Sequence, residues 1–329
     1  MLAAAGAGAV DSGPDAPGAQ EKNRSEATTD ERATTPPRYK QPARVQAAPV
    51  SRPALWPVFV AYVAAFLLAL FASAAYLLIP SFWRAGWNPA RVADEAATFA
   101  FSAPGLLGAA LVSAVVLILV TLVTARLMGG GVVARLGTGP TRARPLGIAA
   151  AVVGLAGLSL ACGSAAQLAG LGKAGVTEQI ALALRSSNPL RIVLAVLCIG
   201  VAPAFAEEGF FRGLMQTRLR ARWRRWPAIV VTAMAFGAFH VDPVQGSEAF
   251  VAGVFFGWVV DRFGGIRPAI AAHAFNNAMF VVFASLAGSD DEGTRPVTIG
   301  VLVGGVVACA VATAVIRSRH AVRASICAS

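Results

Sequence analysis

Charged side chains are scarce in this sequence. Only 14% of its 329 residues are Asp, Glu, Lys or Arg, and 56% are hydrophobic, whereas soluble domains carry roughly 25% charged residues. The serine motif GxSxG and the zinc motif HExxH are both absent. The four cysteines have no paired spacing, so neither a disulfide framework nor a thiolate metal site is expected. This composition excludes an ordinary soluble domain and indicates a membrane protein.

Long apolar runs predict an all-α fold, a polytopic membrane protein with about eight transmembrane helices. About 20 helical residues, rising about 1.5 Å each, cross a hydrocarbon core of about 30 Å. The fifth and sixth of the eight runs are short and closely linked. The runs lie at residues 55–80, 104–125, 146–171, 190–217, 227–244, 246–261, 267–287 and 297–316.

The formal net charge of +11 is concentrated in alternate loops. Arginine-rich segments precede the first run and follow the second, fourth, sixth and eighth, whereas the other loops are mixed or acidic. This is the positive-inside asymmetry, and it predicts a multi-pass protein of the cytoplasmic (inner) membrane with both termini in the cytoplasm. A nucleic-acid-binding surface would not alternate in this way. The lipid bilayer is therefore an expected partner of this protein, and binding to nucleic acid is not expected.

Composition divides the chain into four segments. Residues 1–53 are polar, lack apolar periodicity and are expected to form a disordered basic cytoplasmic tail. Residues 54–188 hold the N-terminal transmembrane helices. Residues 189–290 form a core that contains the polar residues described next. Residues 291–329 supply the last transmembrane helix and a short cytoplasmic tail.

Charge well inside the predicted spans, away from their ends, is confined to the stretch FAEEGFFRG. Glu207, Glu208 and Arg212 lie well inside the fourth run, and ionisable residues in a span usually face a functional interior. Glu208 and Arg212 are four residues apart with the acid first, the favourable order for a helical ion pair. Glu207 points about 100° away and has no evident partner. A purely structural ion-pair network is the alternative, although one arginine does not satisfy two acids.

Two of the three histidines also fall in predicted spans, His240 in FGAFH and His273 in HAFNN. Asn277 follows His273 by four residues, so the two side chains share a helical face, whereas Asn276 points elsewhere. Helix rise from the flanking loops places these residues and Glu207 at depths that permit one shared site. Interhelical hydrogen bonding is the structural alternative for His273 and Asn277.

Two kinds of hydrolytic chemistry fit this set of side chains. In the first, Glu207 is a general base, a water between Glu207 and His240 attacks a carbonyl, and His273 and Asn277 donate hydrogen bonds to the oxyanion. In the second, Glu207, His240 and His273 hold a zinc ion with a bound water. The residues alone leave both mechanisms open.

Three motifs carry a family resemblance. EEGFFR matches EExxxR, FGAFH matches FxxxH and HAFNN matches HxxxN, in that order and each on a predicted span. Over about residues 190–290 the sequence therefore resembles the CPBP (Abi) family of intramembrane proteases. That family includes the type II CAAX prenyl endopeptidases and bacterial homologues linked to bacteriocin processing or immunity. The resemblance implies an eight-span helical core with the active site within the bundle.

The resemblance also implies a role for each motif residue. It makes Glu207 the catalytic base, Glu208 its supporting acid and Arg212 their structural partner. Phe236 becomes a packing residue and His240 the second water-activating group.

In the third motif, the resemblance makes His273 and Asn277 the oxyanion pair. The family is often labelled metalloprotease, and Glu207, His240 and His273 would be the ligands of any metal. A metal-free mechanism that depends on Glu207 is slightly favoured.

The expected function is that of an intramembrane endopeptidase acting on a membrane-embedded or membrane-proximal protein or peptide. Abundant Ala, Gly and Arg with few Lys indicate a bacterium of high genomic GC content, which disfavours a prenylated substrate. Two other classes stay open. One is a non-catalytic membrane immunity or partner-binding protein. The other is a proton-coupled transporter, for which the expected paired internal repeats are not found.

Overall fold

The described chain folds into helices. The structure, a computed structural model, describes residues 53–129, 131–171, 176–185, 188–286, 295–318 and 321–322. Within these residues the only β-type pairing is an isolated bridge between Ala143 and Val322, so the predicted all-helical class is confirmed. The predicted disordered tail lies, apart from residue 53, outside the described residues.

The helices are numbered in chain order. They are α1 (Trp56–Arg84), α2 (Pro89–Ala100), α3 (Ala103–Leu127), α4 (Val132–Leu136), α5 (Pro145–Leu168), α6 (Val176–Leu184), α7 (Pro189–Arg220), α8 (Arg225–Phe239), α9 (Pro243–Phe263), α10 (Arg267–Leu286) and α11 (Arg295–Arg317).

Six helices in the described part of the chain are long and apolar enough to cross a membrane, namely α1, α3, α5, α7, α10 and α11. The predicted count of eight is not confirmed. Helix α8 has 15 residues and would extend only about 22 Å at about 1.5 Å per residue, less than a hydrocarbon core. Helix α9 has 21 residues, but Gln245, Ser247 and Glu248 make its first turns polar.

Local sequence explains where several helices begin. In each of four helices a polar residue accepts a hydrogen bond from a backbone N–H of the first turn, and a proline lies in the first two helical positions. Both features stabilise a helix N-terminus, because the side chain satisfies a donor that has no partner within the helix and proline lacks that donor. The capping residues of α2, α3, α7 and α9 are Asn88, Ser102, Asn188 and Asp242.

Small residues allow close packing between two of the candidate spans, α5 and α11. A Cβ atom on Gly157 would lie 2.7 Å from the Gly305 carbonyl oxygen, and a Cβ atom on Gly305 would lie 2.5 Å from the Gly157 carbonyl oxygen. The two backbones therefore touch where both residues lack a side chain. In a membrane there is no hydrophobic driving force between helices, because lipid tails are as apolar as the side chains. Close backbone contacts of this kind stabilise the bundle by van der Waals packing instead.

The buried core is built around the second half of α7. Phe210, Phe211 and Leu214 of α7 are buried together with Phe236 of α8 and Phe256 of α9. Most of the large apolar side chains of α1, α3 and α11 are instead exposed, as expected for helices that face lipid. The polar residues of α7 therefore lie among aromatic rings in the interior of the helical bundle.

Candidate active site

Helix α7 does not keep regular α-helical geometry through the EEGFFR stretch. It is π-helical over Val196–Val201 and again over Glu208–Gln216, with an α-helical turn at Ala202–Glu207 between them. Wide turns of this kind are rare and are often found at functional sites. Glu207 and Glu208 lie at the junction where the second wide segment begins.

Glu208 and Arg212 form the predicted ion pair. Nη1 of Arg212 donates to Oε1 of Glu208 at 2.9 Å, and both side chains are 0% exposed. A second donor, Nη2, reaches the Gly253 carbonyl oxygen of α9 at 3.3 Å. Because burying an isolated charge is costly, this pairing is what allows both groups to remain in the core.

Aromatic rings surround the Arg212 guanidinium. Its central carbon lies 4.4 Å from the ring centroid of Phe236, 4.9 Å from that of Phe256 and 5.9 Å from that of Phe211. The negative faces of aromatic rings attract a cation, most strongly away from water. A Cβ atom on Gly253 would lie 3.2 Å from Nη2 of Arg212, so α9 has little room here for any residue larger than glycine.

His273 of α10 connects the two glutamates. Its Nδ1 lies 3.0 Å from Oε1 of Glu208, within hydrogen-bonding distance, and its Nε2 lies 3.7 Å from Oε2 of Glu207. An ionised carboxylate can only accept, so Nδ1–H is the donor to Glu208 and Nε2 faces Glu207. The imidazole also stacks on Phe256, with centroids 4.7 Å apart and planes 27° apart.

Glu207 is the more accessible of the two acids. Its side chain is 16% exposed, against 0% for Glu208, and its contact with His273 is longer than a hydrogen bond. Glu208 is therefore held by Arg212 and His273, whereas Glu207 stands beside the imidazole with room for a further partner. The sequence predicted this difference between the acids, but not that His273 would lie next to both.

His240 lies at the corner between α8 and α9. Its Nδ1 is 3.0 Å from the Phe236 carbonyl oxygen, and because a carbonyl oxygen only accepts, Nδ1 carries a proton and Nε2 is an acceptor in the neutral form of the ring. The next residue, Val241, has φ of +63°, a rare conformation for a β-branched residue. No hydrogen bond or ion pair joins His240 to Glu207 among the described residues. The Phe236 ring lies between the two histidines, with its centroid 5.0 Å from that of His240 and 6.0 Å from that of His273.

The two asparagines of α10 are both half-buried. The structure gives the Asn277 side chain no hydrogen bond to a described residue, and the role predicted for Asn277 stays a prediction. The Oδ1 atom of Asn276 is buried without a hydrogen-bond partner among the described residues.

The residues suggested for a metal do not fit one in this arrangement. No group of three or more His, Cys, Asp or Glu side chains within the described ranges is placed to hold a metal ion. The Nδ1 contacts of His273 and His240 leave Nε2 free on both rings, but among the described residues His240 is not brought together with Glu207 and His273 into one ligand group. No step is therefore assigned to a metal ion.

Sequence reasoning missed two residues that build this site. Gln216 is 2% exposed, and its Nε2 donates to the Gly257 carbonyl oxygen at 2.9 Å, which repeats the Arg212 contact with Gly253 four residues further along both helices. The spacing of Glu208, Arg212 and Gln216 was the available signal, since each lies four residues from the next. Phe256 carried no such signal, because its contacts depend on how α9 packs against α10.

Comparison with known families bears on the same segment. Residues 189–279 match the family described as Type II CAAX prenyl endopeptidase Rce1-like. This segment of the chain is similar to that family. No curated protein and no solved structure matches it.

The matched segment contains the whole candidate site. The matched residues run from the start of α7 into α10, and they include all six residues predicted to act: Glu207, Glu208, Arg212, His240, His273 and Asn277. The predicted resemblance to the CPBP family is confirmed, and the family indicates a membrane protease.

Proposed function

We propose that this protein is an intramembrane endopeptidase in which Glu207 activates a water molecule that cleaves a peptide bond. The observation that carries the proposal is the position of His273, with one ring nitrogen 3.0 Å from Glu208 and the other 3.7 Å from Glu207. A buried acid-histidine-acid arrangement inside a bundle of apolar helices suits proton transfer better than it suits packing alone.

Charge balance supports a proton shared between Glu207 and His273. Two ionised glutamates and Arg212 leave one excess negative charge, which a low-dielectric interior disfavours. One more proton, on His273 or on Glu207, makes the set neutral. With the proton on His273, Glu207 is an ionised base and the imidazolium donates from both nitrogens, from Nδ1 to Glu208 and from Nε2 toward the reaction space.

The proposed reaction begins from that protonation state. Glu207 removes a proton from water, the water oxygen bonds to the carbonyl carbon of the substrate, and the carbonyl electron pair moves onto its oxygen. Nε2–H of His273 and the Asn277 amide donate to this oxyanion. When the tetrahedral intermediate collapses, the C–N bond breaks and Glu207 gives its proton to the departing nitrogen.

In this mechanism His240 positions the attacking water or the substrate. Since its Nδ1–H is committed to the Phe236 carbonyl oxygen, its Nε2 accepts a hydrogen bond from the attacking water or from the substrate backbone. Glu208 and Arg212 act through His273, because they fix the orientation of its ring.

We propose a membrane-embedded or membrane-proximal peptide segment as the substrate, such as a processed peptide or the membrane anchor of a secreted protein. The composition that indicates a bacterial source disfavours a prenylated one. The proposed location is the inner membrane with both termini in the cytoplasm, which the arginine-rich loops support.

The test compares cleavage of a pool of membrane proteins by the purified wild-type protein and by Glu207→Gln in detergent. Glutamine keeps the shape of the side chain but cannot take the proton, so the variant is expected to lose at least about 10²-fold in rate, the scale of a general base. Glu248→Gln is the matched control, since Glu248 of α9 is partly buried but outside the site.

Equal product profiles for wild type and a folded Glu207→Gln variant would overturn the proposal and favour a non-catalytic partner-binding protein. Proton uptake by reconstituted vesicles that depends on Glu207, without any cleavage, would favour a transporter instead. Repeating the assay with a chelator and with added zinc measures any metal dependence directly.

A further inference from the structure

A cavity of about 350 Å³ lies at the arginine-rich ends of α3 and α7, away from the candidate active site. Short helix α4 forms one of its walls. Two arginines, Arg135 of α4 and Arg218 of α7, line it together with the apolar side chains of Met128, Ala134 and Leu214. None of the residues that line this cavity is acidic.

The two arginines are held in place by backbone carbonyls. Nε of Arg218 donates to the Ala54 carbonyl oxygen at 2.7 Å. Nη2 of Arg135 donates to the carbonyl oxygens of Met128 and Gly129. These neutral partners fix the guanidinium groups without neutralising their charge, so two like charges face one cavity.

A further N–H group of Arg135 has no hydrogen-bond partner among the described residues. The Nε atom of Arg135 is buried and lacks a hydrogen bond to any described residue. Because protein atoms cover Nε, an anion in the cavity would bind the guanidinium atoms of Arg135 that line it. The two uncompensated charges that line the cavity indicate an anion.

The cavity wall is rigidly joined to the core of α7. A Cβ atom on Gly213 would lie 2.7 Å from the Leu136 carbonyl oxygen, so α4 packs directly on the α7 backbone one residue beyond Arg212. Thr217, which lines the cavity, donates from Oγ1 to the Arg212 carbonyl oxygen at 3.0 Å. The site is therefore built on packed helices.

We propose that this cavity binds a phosphate group, with Arg135 and Arg218 as its ligands. Arginine forks suit phosphate oxygens. The volume exceeds that of a phosphate alone, and the apolar wall beside the exposed Leu127 suits the glycerol and first acyl carbons of an anionic phospholipid. Basic pockets between membrane helices bind lipid headgroups for these reasons.

The test measures binding of phosphate ligands to the full chain in neutral phosphatidylcholine nanodiscs. In one arm, phosphatidylglycerol is added and bound lipid is counted by native mass spectrometry. In the other arm, inorganic phosphate and glycerol phosphate are titrated by calorimetry. Arg218→Gln is expected to weaken binding roughly tenfold or more, the scale of one charge-assisted hydrogen-bond pair.

Two further variants keep the result interpretable. Arg224→Gln is the matched control, because Arg224 is an exposed arginine in the turn between α7 and α8 and does not line the cavity. Ala134→Phe fills the cavity without changing any charge, and it is expected to abolish binding even if Arg218→Gln were poorly folded.

Each outcome decides the proposal. Lipid binding that is lost in Arg218→Gln and Ala134→Phe but kept in Arg224→Gln supports a headgroup site. The same pattern with soluble phosphates supports a free-phosphate site. Equal loss in Arg218→Gln and Arg224→Gln would mean unspecific attraction to the basic surface and would overturn the proposal, as would no binding in either arm.

Discussion

At the residue scale, the ring of Phe256 connects the two halves of the candidate site. It stacks on the His273 imidazole and lies 4.9 Å from the Arg212 guanidinium carbon. We expect Phe256→Leu to leave His273 less firmly oriented, so kcat for cleavage falls roughly tenfold to a hundredfold, the cost of a small misplacement, while KM changes little. Steady-state kinetics on a cleaved substrate measure this split.

Phe255→Leu is the control for that prediction. Phe255 precedes Phe256 in α9 but packs against Gly154 of α5. Both substitutions remove similar buried area and are expected to cost about 1–2 kcal/mol of stability. Only Phe256→Leu should lower kcat. An equal fall in kcat for the two variants would show that Phe256 contributes packing alone.

Individual residues also show which contacts of the candidate site could be predicted from the sequence. The Glu208–Arg212 pair was predictable because both members lie on one helix, four residues apart. The contact of His273 with Glu208 was not, because it depends on which helices are neighbours in the bundle. The predicted water site between Glu207 and His240 stays untested, whereas the imidazole of His273 lies within 3.7 Å of Glu207.

At the scale of elements, the packing of α5 on α11 predicts a position-dependent effect of adding one methyl group. Gly157→Ala places a Cβ atom 2.7 Å from the Gly305 carbonyl oxygen, and the helices must separate. We expect a loss of about 1–3 kcal/mol, the usual cost of overpacking. Thermal unfolding in detergent measures it.

Gly163→Ala, on the same helix α5, is the matched substitution. A Cβ atom there meets nothing within 4 Å, so the change should be neutral or stabilising by about 0.5–1 kcal/mol, because alanine favours a helix over glycine. If Gly157→Ala were tolerated as well as Gly163→Ala, the close contact between α5 and α11 would be wrong.

Helix type and length were only partly predictable. Apolar runs located every candidate span among the described residues, because burial in lipid demands about 20 apolar residues. They did not separate α8 and α9 from the six candidate spans, although α8 has only 15 residues and the first turns of α9 are polar. The wide turns of α7 left no signal in composition.

At the scale of the whole molecule, the alternation of charge predicts which end of the bundle faces the cytoplasm. In a chain with its native cysteines replaced, Arg224→Cys is expected to react with a membrane-impermeant maleimide only after the membrane is permeabilised. Ala90→Cys, at the opposite end by the predicted topology, should react in intact cells. Both positions are exposed. The reverse pattern would invert the topology, and with it the side on which the phosphate cavity opens.

The wide turns of α7 have a consequence for protein design. A graft of the EEGFFR residues onto a straight, idealised helix would keep their order but change the angle between successive side chains, so Glu207 and Glu208 would no longer both reach one imidazole. Any miniature scaffold that aims to reproduce this chemistry must therefore copy the irregular backbone of Glu208–Gln216, together with the glycines on α9 that leave room for it.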